Sequence, residues 1–259
     1  MLPTHHNYSI LTIANVAFLI ISFIGFEANA GVVMYGTRVI YPTDQRFVTV
    51  RLANRDKSPN LVQAWVDDGR GVPPDDAVGT PFVVTPPLFR IGADGQQSVR
   101  VTFTGNAALP ADRESLYWFN LLQIPPEDKS EQKEGTAQIA ISFLNQVKLL
   151  YRPTTIDGDV HDLPNRLEFS LSRDEKTWRI TAKNPTGFYA TFVDIAHLLS
   201  GSEILPVDLG HEVTLAPFSS RTWRVAGSKM SILSPVFEFS LIDDSGSPKS
   251  SRKPVAIMP

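Results

Sequence analysis

The chain has 259 residues and a formal net charge of −3, without long runs of like charge, so it lacks the basic footprint of a nucleic-acid binder. Hydrophobic residues make up 42%, enough for packed cores and too many for a disordered chain. There are no cysteines, which excludes disulfides, thiol catalysis and cysteine-based metal sites.

Residues 1–30 differ from the rest: Glu27 is their only Asp, Glu, Lys or Arg. An apolar stretch runs from Ile10 to Phe26 and is followed by Ala28-Asn29-Ala30, a small-x-small triplet of the kind signal peptidase cuts. It reads as a secretory leader, 1–30, with Gly31 as the first mature residue. The alternative is an uncleaved anchor, for which the stretch is just long enough.

After the leader, strand signals recur at short intervals and helical periodicity is scarce. The expected strands are Val32–Tyr41, Phe47–Leu52, Leu61–Val66, Phe82–Thr85, Ser98–Phe103, Leu116–Gln123 and a long run from Ala137 to Tyr151. Asp67-Asp68-Gly69, Pro86-Pro87 and Pro125-Pro126 punctuate them as turns. Seven short strands of this kind describe an immunoglobulin-like sandwich, 31–153. Thr154 to Pro164 is polar and reads as a flexible junction. A second, smaller β domain, 154–259, follows, with strands expected at Leu167–Leu171, Trp178–Lys183, Tyr189–Ile195, Glu212–Leu215, Arg221–Val225 and Phe237–Ile242. The class is all-β, with two sandwich domains. Trp65 and Trp118 sit in strands and read as core.

In the long run, Ile139, Ile141 and Phe143 alternate with Ala140, Ser142 and Leu144, so in a strand the two sets face opposite ways. Periodicity alone does not distinguish a core row from an exposed row awaiting a partner. Lys148, five residues beyond Phe143, falls on the opposite face.

Several motifs resemble PapD-like periplasmic pilus (fimbrial) assembly chaperones. Lys148-Leu149-Leu150-Tyr151-Arg152-Pro153 is similar to the K-L-x-Y-R-P motif that ends their long G strand. Arg113 to Leu121, with Ile124-Pro125, is similar to their R-E-S-L-x-x-F-N…I-P signature. Gln63-Ala64-Trp65, Thr85-Pro86-Pro87, Asn184-Pro185-Thr186 and Thr37-Arg38 fall in matching order. The resemblance implies two sandwich domains joined at an angle like a boomerang, with a cleft between them. It implies a chaperone that stabilises and caps pilus subunits, adhesins included, by donor-strand complementation and delivers them to an outer-membrane usher in the periplasm. Ile139, Ile141 and Phe143 would then be the donor row. Arg38 and Lys148 would anchor the subunit's terminal carboxylate, and Glu114, Arg152 and Asp244 would form an inter-domain charge network. Asp243 adjoins Asp244, and the sequence pattern alone does not choose between the two. Self-association of the free protein, which would cover its bare strand, is left open by the sequence. The short Glu127–Gly135 loop and the lack of cysteines fit the family's short-loop branch, which usually serves rod-like pili with adhesive tips.

The alternatives are a secreted structural or adhesive sandwich component of a pilus, and an exported enzyme or carbohydrate binder. No catalytic residue, cofactor or metal is expected. His161, His197 and His211 lack metal-ligand spacing, and neither a G-x-S-x-G elbow nor a P-loop occurs.

Overall fold

The computed structural model describes residues 31–69, 80–105, 108–126, 141–174, 177–211, 213–227 and 232–258. The leader, the 127–135 loop and Ile139 lie outside the described residues. Among the described residues no helix is long and apolar enough to cross a membrane.

The first sandwich is built from β1 (Val32–Met34), β2 (Arg38–Pro42), β3 (Val48–Asn54), β4 (Asn60–Asp67), β5 (Phe82–Thr85), β6 (Leu88–Ile91), β7 (Gln96–Phe103), β8 (Ser115–Ile124) and β9 (Phe143–Arg152). One sheet has the order β1-β3-β7-β5 and the other β2-β9-β8-β4-β6. Alternation dictates the packing: Val99 and Val101 of β7 are fully buried while Ser98 and Arg100, which alternate with them, are exposed. Facing them are Val62, Phe119, Leu121 and Leu149 from the second sheet. β6 was not expected, because Pro86-Pro87 reads as the end of a strand. The chain instead crosses there from β5 in one sheet to β6 in the other, where β6 pairs with β4.

The second domain contains β10 (Glu168–Asp174), β11 (Thr177–Asn184), β12 (Ala190–Thr191), β13 (Ile195–Ser200), β14 (Glu203–Asp208), β15 (Thr214–Leu215), β16 (Ser219–Val225), β17 (Val236–Ile242), β18 (Pro248–Pro254) and β19 (Ala256–Ile257). Eight strands form one sheet, β18-β17-β13-β14-β16-β11-β10-β19, and β12 pairs with β15 in a separate ribbon. The sheet closes over its own core: Phe169 of β10 meets Phe237 and Phe239 of β17 at 4.9 and 5.0 Å between ring centroids, contacts that hold the distant strands face to face. The expected single strand Tyr189–Ile195 is broken, since β12 ends at Thr191 and β13 starts at Ile195. The segment after Pro153 is packed rather than loose. Ile156 and Leu163 are buried in the second core, and residues 160–166 form a 3-10 turn followed by one helical turn.

Candidate functional site

β9 carries two rows with different fates. On its inward face, exposure rises from 0% at Leu149 to 57% at Phe143, and Ile141, two residues before the strand, is 59% exposed. The row that is core at one end of the strand is bare at the other. Pairing explains part of this. β8 accompanies β9 along its whole length, from Gln123↔Phe143 to Ser115↔Tyr151. β2 joins it in parallel only from Arg38↔Lys148 to Pro42↔Arg152. From Phe143 to Val147, the edge that β2 covers further along has no strand partner among the described residues. Apolar side chains beside unpaired backbone groups make this a strand edge able to accept another strand.

The outward row is Lys148, Leu150 and Arg152, and the second domain covers it. Leu150 is 2% exposed. Arg152 donates from Nε to Glu114 at 2.6 Å, and its two terminal nitrogens form a fork to both Asp244 oxygens at 2.6 and 2.8 Å. The second Glu114 oxygen accepts the Tyr189 N–H at 2.7 Å, and the Glu114 N–H donates to the Gly187 carbonyl. This network ties the end of β9 and the start of β8 to two loops of the second domain. Burial pushes the Glu114 carboxyl up, against the pull of Arg152. Hydrogen bonds to Asp244 and Glu114, together with their charges, outweigh burial and hold Arg152 charged. The ambiguity between neighbouring aspartates is resolved by the turn they share. Asp243 accepts from the Ser245 hydroxyl and the Ser247 N–H, closing the turn, while Asp244 faces Arg152.

Arg38, Lys148 and Trp118 sit side by side on β2, β9 and β8 in one cross-strand row. Arg38 donates from Nη1 to the Ile242 carbonyl at 2.9 Å. Its Nε is buried with no hydrogen-bond partner among the described residues. Burial pulls the guanidinium's pKa down, with Asp244, Asp243 and Glu114 opposing. Lys148 Nζ donates to the hydroxyls of Thr191, at 3.2 Å, and Thr214. Burial, aided by the charge of Arg38, lowers it to about 8. An open cleft lies over this row, lined by Thr37, Arg38, Trp118, Gln146, Lys148 and Gly246 among others. Trp118 is therefore a cleft wall and not core. Its indole also backs Gly69, where an added Cβ would meet Nε1 at 2.7 Å.

The structure thus brings Arg38 and Lys148 together, gathers Glu114, Arg152 and Asp244 in one network, and leaves Phe143 exposed at the start of β9, with Ile141 exposed just before it; the strand expected from Ala137 is not formed at Ile141 and Ser142. Thr191, Thr214 and the Tyr189 N–H were not foreseen, because their roles depend on chain pairing that no local pattern announces.

Chemically, the cleft offers two adjacent cations whose described partners are neutral. That suits an anion with two oxygens. Among the described residues, the carboxylates acting on Arg38 are otherwise engaged, Glu114 and Asp244 by Arg152 and Asp243 by its own turn.

Comparison with known proteins agrees with this architecture. Residues 31–157 match the family "Pili and flagellar-assembly chaperone, PapD N-terminal domain", and residues 162–253 match "Pili assembly chaperone PapD, C-terminal domain". The chain is 35% identical to the probable fimbrial chaperone YadV of Escherichia coli K12, covering 84% of this chain and 87% of that protein. It is 39% identical to the chaperone protein HifB of Haemophilus influenzae, over 78% and 80% of the two chains. The crystal structure of the YadV chaperone superposes with a TM-score of 0.71 at 33% identity, covering 86% of this chain and 98% of that one. The Salmonella enterica SafB chaperone, solved in complex with the SafA pilin, superposes with a TM-score of 0.68 at 27% identity, over 89% and 98%. From its two matched domains and this kinship, the chain belongs to the PapD family of pilus-assembly chaperones.

Proposed function

We propose that this chaperone works in the periplasm by lending β9 to an unfinished pilus subunit. It binds, stabilises and caps pilins and tip adhesins, and hands them to an outer-membrane usher. The mature protein is read as two functional units, 31–153 and 154–259, after removal of a 1–30 leader. Strand donation of this kind is a known mode of β-augmentation. An incomplete sandwich exposes apolar core and an unpaired edge, both of which invite aggregation. Ile141 and Phe143, with Ile139 beyond them, supply the apolar row. Each side chain contributes roughly 1.5–3 kcal/mol when fully buried, before ordering costs.

Arg38 and Lys148 anchor the terminal carboxylate of the subunit. The anchor lies about 16 Å from Phe143 along the strand at ~3.3 Å per residue. Gripping the tail therefore sets the register of the donor row, and register decides which side chains face the groove. Glu114, Arg152 and Asp244 fix the cleft by tying the domains together.

The observation that carries this reading is the pair of adjacent cations with neutral partners, on the strand whose other end is bare and apolar. A pilus component completed by strand exchange is disfavoured, since the chaperone relatives match both domains over most of the chain. The test is co-expression with a pilin. A soluble 1:1 complex is expected, and Arg38→Ala should abolish it while the chaperone stays folded. A folded Arg38→Ala chain that captures the pilin normally overturns the anchor.

A further inference from the structure

The two-stranded ribbon of the second domain has no obvious place in a sandwich. β12 and β15 pair over two positions, Ala190↔Leu215 and Thr191↔Thr214. Ala190 and Leu215 are 0% and 1% exposed and belong to the second core. Opposed residues of an antiparallel pair point to the same face, with Cβ atoms about 4.5–5.5 Å apart. Thr191 and Thr214 therefore present two hydroxyls together on the other face. Both accept from Lys148 Nζ across the domain junction.

We propose that this threonine pair is a positioning element for the anchor, holding the Lys148 ammonium charged and leaving its remaining N–H for an incoming carboxylate. The inference rests on reading Lys148 as an anchor. An ammonium has three donors and no acceptor. The ribbon takes two of them, so one remains for the cleft where Arg38 also sits. Neutral acceptors suit this task better than an acid would. A carboxylate at either threonine position would neutralise the lysine and compete with the subunit's tail. Without the hydroxyls, the lysine would face desolvation and the charge of Arg38 uncompensated, since those two influences already pull it down. Among the described residues, the groups around it include Trp118, at 5.9 Å from Nζ to ring centroid, Gln146, and Gly246 in the Asp243–Ser247 turn. Asp244 of that turn is held by Arg152, and Asp243 by Ser245 and Ser247. The second domain would thus be part of the binding chemistry as well as a wall of the cleft.

The experiment compares the wild type with Thr191→Val/Thr214→Val, Thr191→Ser/Thr214→Ser and Lys148→Ala in the full mature chain. The probe is a synthetic peptide of the C-terminal strand of a pilin that co-purifies with the wild type, made with a free carboxylate and as the amide. The Lys148 titration midpoint is followed by NMR. The valine pair should weaken binding of the free acid about tenfold, the scale of lost hydrogen bonds to a charged group. It should leave the amide unaffected and shift the lysine midpoint down by about one unit. The serine pair should restore both. Binding within about twofold of wild type with an unmoved midpoint overturns the inference. If Lys148→Ala still loses the free acid, the anchor itself survives that result; if Lys148→Ala binds normally, the anchor reading falls instead. Should the valine pair fail to fold, Thr214→Val alone, at a half-buried position, is judged by the same criteria.

Discussion

Arg38 and Lys148 are direct partners across the parallel β2–β9 pair, and neither forms an ion pair with a carboxylate among the described residues. Two neighbouring cations, partly buried and held by neutral oxygens, oppose folding in the free protein. Lys148→Met keeps the aliphatic stem and removes the charge. The melting temperature of the free chaperone should stay the same or rise at pH 7. Capture of a pilin should fall about tenfold to a hundredfold, matching about 1.5–3 kcal/mol for a hydrogen bond to a charged group. A clear drop in melting temperature would instead make Lys148 a structural residue.

The same lysine sets a pH dependence whose sign follows from its environment. Its pKa in the folded protein is lowered to about 8 by burial and by Arg38, whereas an unfolded lysine titrates near 10.4. Between these values the unfolded chain binds more protons. This group's contribution therefore makes the free chaperone more stable as pH rises from about 8 toward 10.4. Binding behaves oppositely. A docked carboxylate favours the ammonium, so above about pH 8 complex formation takes up a proton and weakens as pH rises. Calorimetry in two buffers of different ionisation enthalpy at pH 9 should detect that uptake, and Lys148→Met should lack it.

Ile141 and Phe143 offer a separation between folding and function. Both are more than half exposed, so charged substitutions there remove little from the protein's own core. Ile141→Asp should change stability by no more than about 0.5 kcal/mol, the usual range at a surface position. It should nonetheless weaken pilin capture, because a carboxylate would enter an apolar groove without a partner. Denaturant titration and pull-down of the same sample decide this. Parallel loss of both would place Ile141 in the chaperone's own core.

Where apolar residues alternate with polar ones, the sequence announces the strand: β5 was expected with its observed bounds, and β7 with its observed end and a start two residues late. β18 escaped because Pro248 to Pro254 contains no apolar row; it is a solvent-facing edge held by pairing with β17. β14, interrupted by Pro206, escaped for a related reason. In the cleft, Arg38 and Lys148 were legible only as parts of motifs, since a lone strand cation is ordinarily a solvated one. Thr191 and Thr214 were not legible at all, because pairing of separated segments creates their shared face. Between Asp243 and Asp244 only the backbone turn could choose.

The Glu114 network predicts a result that an ordinary surface ion pair would not give. The Glu114 carboxylate side chain is 1% exposed and bonds Arg152 with one oxygen and the Tyr189 N–H with the other. Glu114→Ala removes both acceptors at once. Arg152 keeps Asp244, whose side chain is 33% exposed, but the Tyr189 N–H loses its acceptor. Breaking a buried pair by deleting one member costs about 3–5 kcal/mol, largely through what is left unpaired. Because the two oxygens join different domains, the loss should appear as inter-domain loosening as well as lower stability. Hydrogen exchange should accelerate at Tyr189 and around the 243–247 turn before the centres of β4 or β11 respond. Pilin affinity should fall even though Glu114 is not part of the proposed cationic anchor, because the cleft then loses its fixed spacing between Lys148 and the Thr191–Thr214 ribbon. Glu114→Ala with unchanged exchange at Tyr189 and full pilin affinity would show that the packing of Leu150 and its neighbours, and not the charge network, holds the domains in place.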